Sequence, residues 1–186
     1  VLRIVQRLID SEQTRFQSGI DWMDVTLDQA VRAVDIDGPA VDALREGVVE
    51  LLLIAGCPQP RARALAETWL WRTDFLLHEW SEQFDLVVGN PPYVRIEELP
   101  KPVLQRYRFL YSTLSDRADL YVAFMERGLQ LLSRRGVLGF ITANRYTKNL
   151  YGRSLRRLIA DQYRVRFFLN LEHTQPFETE VSAYPA

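Results

Sequence analysis

The residues in this sequence that are best suited to chemistry are Asn90-Pro91-Pro92-Tyr93, which directly follow an apolar run ending at Gly89. Within that run, Leu86, Val87 and Val88 are typical of a buried parallel strand. Open α/β sheets bind their ligands at the carboxyl ends of such strands. We therefore expect the tetrapeptide to lie in a ligand site.

The tetrapeptide has the groups needed to bind a planar amine such as the exocyclic nitrogen of adenine. The Asn90 side-chain oxygen and a main-chain carbonyl can each accept one N–H, while Pro91 and Pro92 stiffen the loop. Two such bonds would turn the lone pair of the amine out of conjugation and toward an electrophile. Tyr93 offers a flat face on which a base can stack after leaving its duplex. The alternative is a strand followed by an ordinary Asn-Pro turn.

This combination of strand and tetrapeptide resembles the signature of S-adenosylmethionine-dependent amino methyltransferases. It is most similar to the DNA adenine-N6 enzymes of restriction-modification systems, of type II or combined restriction-methylation type. The similarity continues in Val94-Arg95 and in three later segments, which are Asp119-Leu120-Tyr121, residues 136–141 and Asn144-Arg145-Tyr146. The resemblance implies S-adenosylmethionine as cofactor and methyl transfer to adenine in double-stranded DNA. A specificity or restriction component would then act in the same or another chain. No apolar run approaches membrane-spanning length and no secretory pattern opens the sequence, so we expect a soluble cytoplasmic protein.

Strand and helix patterns alternate along the chain. The predicted elements are an opening helix, a strand at 31–36, a helix from about Pro39, a short helix rich in Ala and Arg, a strand at 70–75, the signature strand, an irregular stretch at 97–116, a helix at 119–132, a strand at 137–142, a helix at 153–161, a strand at 165–171 and a last strand from about Val181. We predict a Rossmann-like α/β class I methyltransferase with a mostly parallel, doubly wound sheet and an antiparallel last strand. Residues 1–186 would form one catalytic domain, incomplete at its N-terminus.

Acidic residues at two predicted strand ends are candidates for cofactor binding. Asp35 stands where nucleotide-binding α/β folds place the carboxylate that accepts ribose hydroxyls. The resemblance implies that Asp35 binds the ribose of S-adenosylmethionine and that Ile36 packs on its adenine. It also implies that Asp74 binds the adenine amine and that Phe75 flanks the ring, although a strand-end Asp-Phe is otherwise an ordinary turn. Asp37 is more simply the N-cap of the following helix.

The glycine-rich loop that opens this family's fold is absent from the sequence. None of the nine glycines forms Gly-x-Gly, and Val1 is not an initiator residue. We therefore expect a fragment that begins after the first motif, with weak or no cofactor binding and no turnover of its own. Near the other end, Phe177 resembles the aromatic residue that closes on the extruded adenine opposite Tyr93, although it is equally typical of a core residue. A target-recognition domain would follow Ala186.

Charge is divided unevenly along the chain. The net charge is −1 overall, −7 for residues 1–94 and +6 for residues 95–186. The most basic stretch contains Arg145, Lys148, Arg153, Arg156, Arg157, Arg164 and Arg166, opposed only by Asp161. Arginines at such spacing usually form a solvated face. The alternative is that some of them bind DNA phosphates beside the active site.

Composition excludes several classes of protein and leaves two further functions open. Cys57 is the single cysteine, so no internal disulfide forms, and with His78 and His173 alone we predict no metal site. Its position in a Pro-rich connection favours a structural role over the nucleophilic cysteine of cytosine-C5 methylation. Protein glutamine-N5 methyltransferases share the Asn-Pro-Pro-Tyr motif and are one alternative. A non-catalytic DNA-binding module with a degenerate methyltransferase fold is the other.

Overall fold

The computed structural model describes residues 1–16, 19–115 and 117–171 of the chain. The chain divides into two units, Val1–His78 and Glu79–Ala186. Each contains one two-stranded parallel sheet. Parallel pairing and the α/β class are thus confirmed, whereas the described residues do not form the single doubly wound sheet that the sequence predicts.

The first unit is built from three helices and two short strands. Its elements are α1 (Leu2–Arg15), β1 (Ala33–Asp35), α2 (Gly38–Ile54), α3 (Gln59–Trp69) and β2 (Leu70–Arg72). Pro39 lies in the first turn of α2, where its missing N–H leaves no helical bond unmade. Gly56 has a φ of 87°, a left-handed conformation that favours glycine, and it separates α2 from α3.

The core of the first unit consists of apolar side chains from its three helices. Fully buried members are Val5 of α1, Val48 and Leu52 of α2, and Leu65 of α3. Trp69 is also buried, and its indole N–H donates to the Leu27 carbonyl at 2.7 Å. The helices therefore support β1 and β2, which pair in register from Ala33 with Leu70 to Asp35 with Arg72.

The second unit contains β3 (Phe84–Gly89), α4 (Lys101–Leu110), α5 (Tyr121–Gln130), β4 (Leu132–Phe140), α6 (Arg145–Lys148) and α7 (Arg153–Gln162). Strands β3 and β4 run parallel, with Leu86 opposite Val137 and Gly89 opposite Phe140. The register shifts between Phe84 and Leu86, since Phe84 lies opposite Leu132. Helix α5 is the centre of this unit, since seven of its ten residues are buried.

Burial of the signature strand differs from the sequence prediction. Strand β3 is present and parallel, but the Leu86 and Val88 side chains are 57% and 48% exposed. They point to the same side of β3, because alternate residues of a strand share a face. The apolar composition predicts a strand that is buried on both faces. That prediction was wrong for the face that carries Leu86 and Val88.

Two other predicted segments are corrected. The stretch expected to be irregular between 97 and 116 contains α4, whose Pro102 occupies the first helical turn. Tyr107 is the buried residue of α4. The strand predicted at 165–171 was wrong: this segment pairs with no strand among the described residues, and Phe167 is 86% exposed. The strand predicted near Val181 lies outside the described residues.

Within the ranges that the structure describes, no helix is both long and apolar enough to cross a membrane.

Candidate active site

The Asn-Pro-Pro-Tyr loop lies at the carboxyl edge of the β3–β4 sheet. Because the strands are parallel, the loops that follow Gly89 and Phe140 leave the sheet at the same edge. The Ile141 N–H donates to the Gly89 carbonyl at 3.1 Å and continues the pairing up to the first residue of the tetrapeptide. The tetrapeptide and the loop from 141 to 146 therefore begin as neighbours.

The four residues of the tetrapeptide have different environments. Asn90 is exposed, and its side chain forms no hydrogen bond with the described residues. Pro91 is buried and Pro92 is exposed, so the loop is anchored at one proline. The Asn90 side-chain oxygen is thus available to an incoming donor, while the backbone beside it is fixed by packing and by two restricted φ angles.

Tyr93 is half-buried against α5. Its ring centroid lies 6.5 Å from that of Tyr121, with 49° between the ring planes. Burial raises the pKa of the Tyr93 hydroxyl above its usual value, so the ring is neutral at physiological pH. The residues after Tyr93 are also held, because the Val94 carbonyl accepts the Leu120 N–H at 2.9 Å. The phenol ring is therefore a partly exposed, fixed and uncharged surface.

The second loop at this edge is formed by residues 144–152. It contains α6 and a 3₁₀ turn at Leu150–Gly152. The Tyr146 N–H donates to the Tyr121 hydroxyl at 3.0 Å, and the two rings meet at 70° with centroids 6.4 Å apart. Tyr121 thus contacts both loops, although sequence reasoning gave it no role beyond the resemblance.

A cavity of about 560 Å³ lies beside the extension of the tetrapeptide. The residues that line it carry both charges: Arg95, Glu97, Glu98, Arg117, Asp119, Arg145, Asn149 and Tyr151. Arg117 lies 3.9 Å from Glu97, and the Asp119 carboxylate accepts the Tyr151 hydroxyl at 3.0 Å. The Arg95 and Arg145 guanidinium groups form no hydrogen bond or ion pair with the described residues. These two cations are available to an anion.

Other members of the basic stretch have structural partners. One nitrogen of the Arg156 guanidinium donates to the Tyr146 and Asn149 carbonyls and so closes the 144–152 loop. Arg157 lies 3.4 Å from Asp161 on the exposed surface of α7. The stretch is therefore neither a uniform solvated face nor a uniform phosphate-binding surface.

The cofactor candidates Asp35 and Ile36 lie at the end of β1 in the first unit. Asp35 is exposed, and its Oδ1 accepts the Asp37 N–H at 3.0 Å, whereas no described residue donates to Oδ2. Ile36 is 69% exposed, which is unusual for a large apolar side chain next to a core strand. A free carboxylate oxygen and an adjacent exposed apolar surface fit a ribose and an adenine. Asp37 precedes α2 as its N-cap, as predicted, but its side chain makes no capping bond.

The other cofactor candidates, Asp74 and Phe75, follow β2. Asp74 Oδ1 accepts the Leu76 N–H at 2.8 Å and the Leu77 N–H at 3.3 Å. Asp74 therefore caps a turn, as the alternative interpretation expects, and any contact with an adenine amine would be additional. Phe75 is half-buried. Phe177 lies outside the described residues.

No group of three His, Cys, Asp or Glu side chains in the described part of the chain is arranged to hold a metal ion. Cys57 is buried between α2 and α3, and burial raises the pKa of its thiol. Cys57 is thus part of the first unit's core.

Comparison with known proteins finds relatives that are all named methyltransferases. The chain is 43% identical over 186 residues to type II methyltransferase M.PaeR7I of Pseudomonas aeruginosa, a match to 100% of the chain and 32% of the relative. It is 42% identical over 188 residues to type II methyltransferase M.BstVI of Geobacillus stearothermophilus, a match to 98% of the chain and 33% of the relative. A combined protein, the type II restriction enzyme and methyltransferase RM.Eco57I of Escherichia coli, is 31% identical over 103 residues, covering 54% of the chain and 10% of that protein.

The chain thus spans about a third of the length of the first two relatives. Its residues 34–177, which include both strand-end candidates and the tetrapeptide, match the Eco57I restriction-modification methylase family. The resemblance seen in the sequence is confirmed, and the chain belongs to the Eco57I restriction-modification methylase family.

Proposed function

We propose that this chain is part of the catalytic domain of a DNA methyltransferase that methylates the N6 amine of adenine in a restriction-modification or phage-defence system. The observation that carries the proposal is the exposed Asn90 amide, which has no hydrogen-bond partner in the described part of the chain, beside buried Pro91 and half-buried Tyr93 at the carboxyl end of β3. Adenine as target is further supported by a more distant relative, the adenine-specific methyltransferase PglX of Streptomyces coelicolor, 34% identical over 80 residues.

The chemistry follows from the groups of the tetrapeptide. The Asn90 side-chain oxygen and the Pro91 carbonyl accept the two N6 hydrogens, which turns the nitrogen lone pair out of the ring system. Tyr93 stacks on one face of the extruded base, and Phe177 is proposed for the other. When bound, S-adenosylmethionine supplies an electrophilic methyl group on a sulfonium sulfur that keeps the C–S electron pair. The amine nitrogen itself attacks the methyl carbon, so no covalent enzyme intermediate is required, and the nitrogen loses its proton to water after the N–C bond forms. Positioning carries most of the rate enhancement.

The first unit is proposed to bind the cofactor. The unengaged Oδ2 of Asp35 accepts ribose hydroxyl donors, and the exposed Ile36 side chain packs on the adenine ring. Asp74 and Phe75 are proposed to contact the adenine amine and the adenine ring. Asp35 is the better supported acid of the two, since Asp74 already caps a turn.

Double-stranded DNA is the proposed macromolecular partner. A nucleotide whose base lies at Tyr93 has its sugar and phosphate close by, and Arg95 is only two residues further along the chain. Arg95 and Arg145 both line the adjacent cavity and lack an anionic partner among the described residues. They are proposed to bind backbone phosphates of the target strand, which would make affinity depend on salt.

The phosphate assignment is tested by the salt dependence of DNA binding. Arg95→Gln and Arg145→Gln should each lower the slope of log K against log [salt] by about 1, the effect of one lost phosphate contact. Arg157→Gln is the matched control, because Arg157 is exposed and lies 3.4 Å from Asp161. Unchanged slopes for Arg95→Gln and Arg145→Gln would refute the assignment.

The reaction is tested by offering the complete gene product two substrates with labelled S-adenosylmethionine. One is duplex DNA and the other is a release-factor peptide that presents a glutamine. N6-methyladenine in the digested DNA supports the proposal. Label in the peptide alone would favour glutamine-N5 methylation, and DNA binding with no methyl transfer to either substrate would favour the non-catalytic module.

A further inference from the structure

We infer that Tyr121 is a positioning residue that links the Asn-Pro-Pro-Tyr loop to the 144–152 loop through a directional chain of hydrogen bonds. The inference concerns a residue that makes no proposed contact with DNA or cofactor. Its catalytic consequence rests on the proposed function, whereas the hydrogen-bond chain does not.

The direction of the chain follows from counting hydrogens. The Tyr146 N–H donates to the Tyr121 hydroxyl oxygen at 3.0 Å. The Tyr151 hydroxyl donates to Asp119 Oδ2 at 3.0 Å, so the single Tyr151 hydrogen is used in that bond. The 3.2 Å contact between the Tyr121 and Tyr151 hydroxyls therefore has Tyr121 as donor. Four groups align from the Tyr146 amide to the Asp119 carboxylate, each polarising the next.

The same residues also hold the tetrapeptide side of the site. The Tyr121 ring is fully buried and lies 6.5 Å, centroid to centroid, from Tyr93. Asp119, at the end of the hydroxyl chain, forms an isolated antiparallel bridge with Arg95. Both loops at the carboxyl edge are thus joined to the first turn of α5 and to the residues just before it. Burial and the Tyr151 contact both favour the neutral form of Tyr121 and raise its pKa far above its usual value.

This arrangement predicts that the Tyr121 hydroxyl affects catalysis without touching the substrate. In Tyr121→Phe the Tyr146 N–H loses its acceptor and the Tyr151 hydroxyl loses its donor. The aromatic ring at position 121 still packs against Tyr93. The 144–152 loop would then sample open positions beside the tetrapeptide. Misplacement of a positioning element lowers the rate of the chemical step more than the affinity for substrates.

The first measurement is independent of methyl transfer. Hydrogen exchange followed by mass spectrometry, on a peptide spanning 144–151 of the complete gene product, should be about fivefold to tenfold faster in Tyr121→Phe, the effect of losing one protecting hydrogen bond. Tyr163→Phe is the matched control, since its hydroxyl donates to the Leu129 carbonyl at 3.2 Å in the same unit. It should leave exchange of that peptide unchanged.

The second measurement is the rate of methyl transfer from S-adenosylmethionine to adenine in a duplex that contains the recognition sequence. Tyr121→Phe and Tyr151→Phe should each lower kcat about tenfold with KM for S-adenosylmethionine unchanged. Asp119→Asn, which keeps an acceptor for Tyr151, should retain more activity than Asp119→Ala. Tyr151→Phe keeps the test valid if Tyr121→Phe does not fold.

The outcomes separate the two ideas. The inference would be overturned if Tyr121→Phe and Tyr151→Phe had the same exchange rate in the 144–151 peptide and the same kcat as Tyr163→Phe. Faster exchange in Tyr121→Phe, combined with no methyl transfer to DNA by the wild-type protein, would support the hydrogen-bond chain and overturn the proposed function.

Discussion

Replacing Asn90 with alanine separates catalysis from folding. The Asn90 side chain is exposed and has no hydrogen-bond partner among the described residues, so its removal leaves no group unpaired. Substitutions of this kind change the free energy of unfolding by no more than about 0.5 kcal/mol. Pro91, which anchors the loop by burial, and Tyr93, which contacts Tyr121, are not altered. The loop should therefore keep its conformation in Asn90→Ala.

The expected effect on methyl transfer is large because the amide oxygen is one of only two proposed acceptors. Removing one preorganised hydrogen-bonding group from an active site typically lowers kcat by about 10² to 10³, or roughly 3–4 kcal/mol of activation free energy. The Pro91 carbonyl alone would hold one N6 hydrogen and leave the lone pair partly conjugated. Affinity for S-adenosylmethionine should not change, since the proposed cofactor residues Asp35 and Ile36 belong to the first unit.

The assay is single-turnover transfer of labelled methyl groups to duplex DNA by the complete gene product, with thermal unfolding measured in parallel. Gln83→Ala is a matched control, because Gln83 is an exposed amide just before β3 whereas Asn90 comes just after it. Asn90→Asp keeps an acceptor oxygen and should retain more activity than Asn90→Ala. A wild-type rate in Asn90→Ala would refute the assignment of Asn90, and a rate loss equal to that of Gln83→Ala would refute it as well.

Further substitutions test the supports of the site. Glu126→Ala should lower the free energy of unfolding by about 3 kcal/mol, because the buried carboxylate accepts four hydrogen bonds from the turn before α5; a denaturant midpoint within error of wild type would contradict this. Gly152→Ala should disrupt the 144–152 loop, since a Cβ there would collide with the Tyr146 carbonyl, and normal exchange of that loop would disprove the clash. Asp35→Asn should weaken S-adenosylmethionine binding about tenfold in calorimetry, roughly the value of one charged hydrogen bond, whereas Asp37→Asn should not. If both changes weakened S-adenosylmethionine binding equally, Asp35 would not be the specific ribose contact.

Local patterns in the sequence were sufficient to locate the tetrapeptide. A run of branched apolar residues indicated the parallel strand, and Asn-Pro-Pro-Tyr after it indicated the strand end, as the structure shows for β3. The helices α1, α2 and α7 were also predicted, because periodicity and caps are properties of adjacent residues. Helix α4 was missed, although Val103, Leu104, Tyr107 and Leu110 recur at helical spacing.

Contacts between distant residues were not predictable in this way. Ser112 and Glu126 are separated by fourteen positions, and Tyr121 and Tyr146 by twenty-five, and no local pattern indicates that these residues will bond. Such pairs depend on how α5 packs against its neighbours, and packing is a property of the folded chain. The same holds for Leu86 and Val88, whose apolar character predicts burial although they are about half exposed in the structure.

The sequence by itself therefore determined the tetrapeptide that we propose as the reactive segment, its place after a strand and the family to which the chain belongs. Each of these depends on residue type and short spacing, which a linear pattern contains. The tertiary structure alone decided that Asn90 has no hydrogen-bond partner among the residues described, that Arg156 closes a loop, and that Tyr121 joins two loops through its hydroxyl. These depend on distances across the fold, which short-range patterns do not encode.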